Sequence, residues 1–249
     1  MTRVLILASG KGGTGKTSVT AGLGCALAMR GKRTLLIDAD AGMQSLDMAL
    51  GVYRDTAFDF ADAAAGTISV PDAAVPVEGF PLAHVLAAPT DADAVEDGAL
   101  YDLVRSAQVQ ENYDYVLIDA PAGVGHIFRE AARAAHTGLV VATPDPICLR
   151  SAEKCAQKLA SCGAENLRLI VNRVRRDFIR RGLPNLDDAI DGTGTRLIGY
   201  IPEDASISLC GAQGVPVLTD PKKRIKTAFA NIAGRLLGEE IPLMKYGWF

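Results

Sequence analysis

The sequence predicts an α/β chain: a single doubly wound, mostly parallel sheet of about seven to eight strands, with helices on both faces. Three observations predict it. Runs such as Val4-Leu5-Ile6-Leu7 and Leu139–Ala142 are apolar along their whole length, as strands covered on both faces must be. These runs alternate with stretches of helical periodicity, the mark of parallel β-α-β units. Between the first run and the first helix lies Gly10-Lys11-Gly12-Gly13-Thr14-Gly15-Lys16-Thr17, the pattern G-x-x-x-x-G-K-[ST], in the place where a phosphate-cradling loop belongs.

Taken in order, strands are expected at Val4–Leu7, Thr34–Ile37, His84–Ala87, Tyr115–Ile118, Leu139–Ala142, Leu167–Val171 and Leu197–Tyr200. A helix over Thr17–Arg30 puts Leu23 and Leu27 on one face, and Gly31 stops it. Further helices are expected over Ser151–Ser161 and Lys222–Leu237. The stretch from Asp55 to Asp102, rich in Ala, Asp and Pro, reads as helix, loop and one central strand of the same sheet. No repeat or linker divides the chain. Residues 1–240 form one domain, and 241–249 form a short apolar tail.

Of 249 residues nearly half are hydrophobic, enough for a sizeable core, and the net charge of −3 argues against nucleic acid as the main partner. Met1-Thr2-Arg3 leads directly into a strand, and no apolar run reaches the ~18 residues of a spanning helix, so the expected location is the cytoplasm. None of the five cysteines forms a C-x-x-C pair; Cys148, Cys155 and Cys162, seven apart, read as one half-buried helical stripe. His84, His126 and His136 lack ligand spacing and read as structural. Arg173, Arg175, Arg176, Arg180 and Arg181 form one basic cluster, and Lys222, Lys223, Arg224 and Lys226 another. Each reads as a solvated face, with anionic lipid or DNA phosphate as the alternative.

The loop pattern carries its own chemistry. Gly10, Gly12, Gly13 and Gly15 let the backbone curl so that successive N–H groups, Thr14 among them, face phosphate oxygens. The helix beginning at Thr17 and Ser18 adds its positive end. Lys16 reaches the β- and γ-phosphates, and the Thr17 hydroxyl ligates Mg²⁺. Chance alone would put such a pattern in about one chain of this length in a hundred. The second strand ends Asp38-Ala39-Asp40, two carboxylates able to face one phosphate edge, one holding Mg²⁺ through water and the other orienting the attacking water. Another strand closes on Asp119, a carboxylate placed for Mg²⁺, and Gly123 then offers an N–H to the γ-phosphate. Lys11 is not needed to cradle phosphate; it is either a solvated loop lysine or a lysine serving a phosphate held by a facing subunit.

Lys11-Gly12-Gly13-Thr14-Gly15-Lys16-Thr17 resembles the deviant Walker A motif of the MinD/ParA family of P-loop ATPases. Asp38-Ala-Asp40-Ala-Gly42-Met-Gln-Ser-Leu46-Asp47-Met-Ala-Leu-Gly51 resembles switch I of the MinD branch, D-x-D-x-G-x-x-x-L-D-x-x-x-G, and Asp119-Ala-Pro121-Ala122-Gly123 resembles its switch II. Val171-Asn172-Arg173 resembles the strand end where the family places an adenine-contacting Asn. Ile201-Pro202-Glu203-Asp204 and Gln213–Val217 resemble the adenine-side loop and the next helix, and Asp220–Glu239 the final helix. The resemblance spans about residues 2–240 and is closer to the MinD branch than to ParA.

It implies the P-loop NTPase fold and a weak, partner-stimulated ATPase that binds ATP or ADP with Mg²⁺ and is a homodimer in the ATP state. Lys11 would act across the dimer, beside Lys16, Asp38, Asp40 and Asp119 as the catalytic set. Thr17, Asp38 and Asp119 would attend the metal, and Asn172, Arg173, Pro202 and Glu203 the base. The implied role is division-site placement with an activator of MinE type or another division or polarity partner. ParA-like partitioning, polar or flagellar placement and metallocentre maturation are the alternatives. The family's membrane-binding C-terminal helix is reduced here to Ile241–Phe249, with Pro242 and Gly247 unfavourable to helix and Leu243, Met244, Trp248 and Phe249 bulky. The expectation is a peripheral attachment to anionic lipid on the cytoplasmic face, made effective by pairing two tails, or else a tail packed on its own domain or a partner.

Overall fold

The computed structural model describes residues 2–91, 95–121, 123–175 and 186–244. Arg176, Arg180 and Arg181 of the first basic cluster, and Lys245–Phe249 of the tail, lie outside the described residues.

Eight strands form one sheet: β1 Arg3–Ala8, β2 Thr34–Asp38, β3 Val75–Val77, β4 Phe80–Leu86, β5 Tyr115–Asp119, β6 Thr137–Ala142, β7 Asn166–Val174 and β8 Arg196–Pro202. Their order is β3-β4-β2-β5-β1-β6-β7-β8, parallel throughout except for β3 against β4. Helices described are α1 Lys16–Ala28, α2 Leu46–Leu50, α3 Phe60–Ala64, α4 Val70–Ala73, α5 Ala99–Arg105, α6 Ala107–Gln110, α7 His126–Ala134, α8 Pro146–Ser161, α9 Leu186–Thr193, α10 Ala205–Gln213 and α11 Lys223–Leu236. The chain leaves β1 toward β2 on one side, returns to β5, and crosses β1 to β6 on the other. That reversal opens a crevice at the carboxyl end of β1, where open α/β sheets bind ligands.

Successive strand residues feed opposite cores. Val4, Ile6, Leu35 and Ile37 join α5, α7 and α8 on one face, while Leu5, Leu7 and Leu36 join α1 and α11 on the other. Both sides being buried, no polar alternation survives in these strands. All seven expected strands and three expected helices are present. The Asp55–Asp102 stretch gives two strands instead of one, and its expected central strand, β4, stands next to the edge. The additional β3 is three residues long and contains Pro76, so it has neither an apolar run nor a full set of donors to announce it.

Cys148 and Cys155 are buried along α8 and Cys162 is half-buried at its end, so the cysteine stripe is a helix face packed on the sheet. Burial pushes the Cys155 thiol up to about 11. His136 accepts the Val4 N–H at Nδ1, and His84 packs edge-on against Tyr113. The first residues of the tail lie on the domain. The Arg235 guanidinium donates to the carbonyls of Ile198, Ile241 and Pro242, and the Tyr200 hydroxyl donates to that of Met244. No helix among the described residues is long and apolar enough to cross a membrane.

Candidate functional site

The loop 9–15 joins β1 to α1 with Gly13 and Gly15 at φ +78° and +84°, the left-handed region that glycine enters without strain. A side chain at Gly15 would collide with the Asn172 amide, and one at Gly10 with the Ser151 carbonyl of α8. The loop is therefore wedged between β7 and α8. Asn172, buried at the end of β7, donates from Nδ2 to the Thr14 carbonyl at 2.8 Å.

Asp119 gathers the polar groups beneath this loop. It and Asp38 end adjacent strands and face each other in register. Asp119 is fully buried; Oδ2 accepts the Thr17 hydroxyl at 2.7 Å and stands 2.9 Å from Lys16 Nζ, and Oδ1 accepts the Thr20 hydroxyl at 2.7 Å. The Lys16 contact is an ion pair without the alignment of a hydrogen bond, so the buried ammonium keeps its donors for another acceptor. The buried Thr14 hydroxyl likewise has no partner among the described residues.

Asp38 organises the segment after β2. Its Oδ1 accepts the Asp40 N–H at 3.0 Å and its Oδ2 those of Ser45 and Leu46, each at 2.9 Å, which turns the chain so that Ser45 Oγ lies 3.4 Å from Thr17 Oγ1. Burial first, and the Asp119 carboxylate second, push the Asp38 carboxyl up from 3.8 to about 6, against those N–H groups and Lys16. The turn is fastened on its far side, where Gly42 N–H donates to Pro89 and Gln44 Nε2 to Ala88.

Two cavities of about 400 Å³ meet at Gly15 and Ser18. One is lined by Ser9–Ser18, Asp40, Met43, Pro121 and Gly123, and thus brings together the loop and both carboxylate-bearing segments. The other is lined by Asn172, Arg173, Pro202–Ala205, Ile207 and Ser208. A bulge in β7 between Val171 and Val174 sets this second wall: Arg173 takes φ +57°, and pairing with β8 resumes at Pro202. Every expected site residue thus falls on the Asp119 network or on one of the two cavities, Lys11 on the exposed rim of the first. Thr20, Ser45 and Gln44 were not expected. Thr20 had a signal, since it follows Thr17 by three positions and shares its helix face.

Residues 5–217 match the CobQ/CobB/MinD/ParA nucleotide binding domain. The chain belongs to this family. It is 34% identical to the septum site-determining protein MinD of Synechocystis and 33% identical to that of Bacillus subtilis, covering 99% and 98% of this chain and 93% and 92% of theirs. Among solved structures, MinD in the Aquifex aeolicus MinC:MinD cell division complex superposes with a TM-score of 0.90 at 34% identity, covering 98% of this chain and 99% of that one. MinD of Pyrococcus horikoshii, complexed with Mg-ADP, superposes with a TM-score of 0.84 at 30% identity, over 95% and 96%. Members of the family are P-loop ATPases, and the loop and the Asp119 network are the parts that such proteins need.

Proposed function

We propose that the chain is a MinD-like ATPase, an ATP-dependent dimerisation switch in division-site placement that hydrolyses ATP to ADP and phosphate. The observation that carries this reading is the convergence on Asp119. One buried carboxylate holds Lys16, Thr17 and Thr20 beneath a glycine-rich loop that lines an open cavity. A triphosphate in that cavity offers Lys16 a stronger partner, and the under-aligned ammonium then passes from Asp119 to the phosphates. Mg²⁺ bound with the nucleotide would neutralise charge on the β- and γ-oxygens, held by the Thr17 hydroxyl and, through water, by Asp38 and Asp119. Asp40, carried by the Asp38 turn to the rim of the same cavity, orients the attacking water, and the Gly123 N–H meets the γ-phosphate.

The second cavity takes the base. With Nδ2 given to Thr14, Asn172 has its Oδ1 to offer, an acceptor suited to the adenine amino group. Pairing of two protomers is supported by bulky apolar side chains left open to solvent: Met43, which lines the first cavity, is 71% exposed, Val124, next in the chain to the cavity residue Gly123, 51%, and Ile147 69%. Lys11, on that same face, reaches the nucleotide of the partner subunit. A cell-division protein of MinE type or similar stimulates turnover, and the tail, residues 241–249, attaches the ATP-bound dimer to anionic lipid as its first residues leave Arg235 and Tyr200, two weak anchors together exceeding one.

The test is light scattering of the full chain in Mg-ATP and in Mg-ADP, with Lys11→Ala beside it. Dimers in ATP only, lost in Lys11→Ala although that variant still binds nucleotide, support the switch; ATP-dependent dimers of Lys11→Ala overturn the role given to Lys11. Co-sedimentation with anionic liposomes tests attachment: no ATP-dependent binding would make the protein a soluble switch.

A further inference from the structure

Half of the second basic cluster has a defined internal task. Lys222 and Arg224 begin α11, whose first turn holds no acidic residue. Cations at a helix N-terminus oppose the helix dipole and need a local counter-charge. Asp204, whose side chain is shut away from solvent, supplies it. Its Oδ1 accepts the Lys222 ammonium at 2.9 Å, the Ser206 N–H at 2.9 Å and the Ser206 hydroxyl at 2.8 Å; its Oδ2 accepts Arg224 Nε at 3.0 Å and Nη2. Burial alone would raise this carboxyl, but those donors hold it well below the usual carboxylate range. The same carboxylate caps α10, so one group ties the starts of two helices.

The position of this knot gives it a consequence. Asp204 lies in Pro202–Ala205, one wall of the second cavity. Its partners sit on α11, which packs along β8 and against α1, Phe229 filling the space left by the missing side chain of Gly22. Helix α1 starts at the phosphate loop. The wall of one cavity and the floor of the other are thus fixed to a single helix.

We propose that Lys222 and Arg224 are positioning residues for the nucleotide base: by gripping Asp204 they set the wall against which the base lies. This rests on the assignment of the second cavity to the base. Releasing the grip lets the wall shift and weakens contacts to the base, while contacts to the phosphates, made by the loop and Lys16, are kept. The measurement is displacement of a fluorescent ATP analogue by ATP and by inorganic tripolyphosphate in Mg²⁺. In Arg224→Gln and Lys222→Met, ATP affinity is expected to fall about tenfold, within the usual range for coupled sites, and tripolyphosphate affinity to stay within about twofold. Arg224→Lys, which keeps the charge, is expected to recover most of the ATP affinity. Equal weakening of both ligands, or of neither, overturns the proposal. A variant lacking a cooperative melt is replaced by Asp204→Asn, which keeps the side chain's volume, and the same ratio is read. Ser208→Trp, filling the second cavity, separates the two ideas. An unchanged ATP-to-tripolyphosphate ratio in that variant places the base elsewhere. A ratio that collapses there but holds in Arg224→Gln and Lys222→Met refutes the brace alone.

Discussion

Asp38→Asn should flatten the pH dependence of stability, and the size of the effect can be worked from the site. In the folded protein the Asp38 carboxyl is pushed up to about 6 from its ordinary 3.8, by burial and by Asp119. A carboxyl raised on folding contributes stability that is fully present below 3.8 and is lost as pH rises through about 6. At about 1.4 kcal/mol per tenfold change in proton affinity, the loss comes to roughly 3 kcal/mol. Asparagine cannot titrate, so this component vanishes. It also offers one acceptor oxygen where the carboxyl group, protonated or ionised, meets three N–H groups with two oxygens, and the N–H set against the amide NH₂ costs about 1–3 kcal/mol at every pH. The variant should therefore melt well below the parent near pH 4 and close to it near pH 7. For a chain of this size about 2–4 °C accompany each kcal/mol, so the gap between the two melting temperatures should close by roughly 6–12 °C. Nucleotide-free thermal melts across that range measure it. Mg²⁺ with nucleotide, by placing positive charge beside the carboxylates, should shift the parent's transition to lower pH. Parallel curves for parent and variant would mean that the Asp38 carboxyl takes up no proton on folding in this range.

Three further outcomes are expected. Lys16→Ala should abolish nucleotide binding in a fluorescent-analogue titration; unchanged affinity would remove the phosphate-loop assignment. Gly15→Ala forces a side chain into φ +84° and onto the Asn172 amide, and should cost on the order of 1–3 kcal/mol by urea denaturation, an unaltered midpoint counting against the wedged loop. A chain ending at Glu240 deprives Arg235 of the Ile241 and Pro242 carbonyls and should melt a few degrees below one ending at Met244, about 1–2 kcal/mol. Identical melts for the two truncations would mean that Ile241–Met244 contribute nothing to the domain.

The sheet was readable because strands buried on both faces leave unbroken apolar runs, and the loop because phosphate chemistry restricts its residues. Asp38 and Asp119 were readable for the same reason: each closes such a run. The features that escaped notice depend on long-range or conformational facts. The Gln44 bond to Ala88 spans 44 positions, and the Asp204 grip on Lys222 and Arg224 spans 18 and 20, with no local spacing to mark either. The bulge that gives Arg173 a positive φ lies just past the expected strand Leu167–Val171, and no glycine signals it. Thr20 alone among the unexpected residues carried a local cue.

The two rims of the sheet bear on how such a molecule stays in solution. If the protein pairs through one face, as proposed above, it must still avoid pairing through exposed strands, which offer unpaired N–H and C=O groups to any extended chain. The β3 rim is only three residues long and interrupted by Pro76, which has no N–H to lend. At the opposite rim, the β7–β8 register skips Ile198, and Arg235 takes up the carbonyl thus left out while drawing Ile241 and Pro242 alongside. Neither rim is a long, flat template for cross-β association, so exposing the β8 rim by removing Arg235 should appear first as aggregation on storage and only later as lost activity.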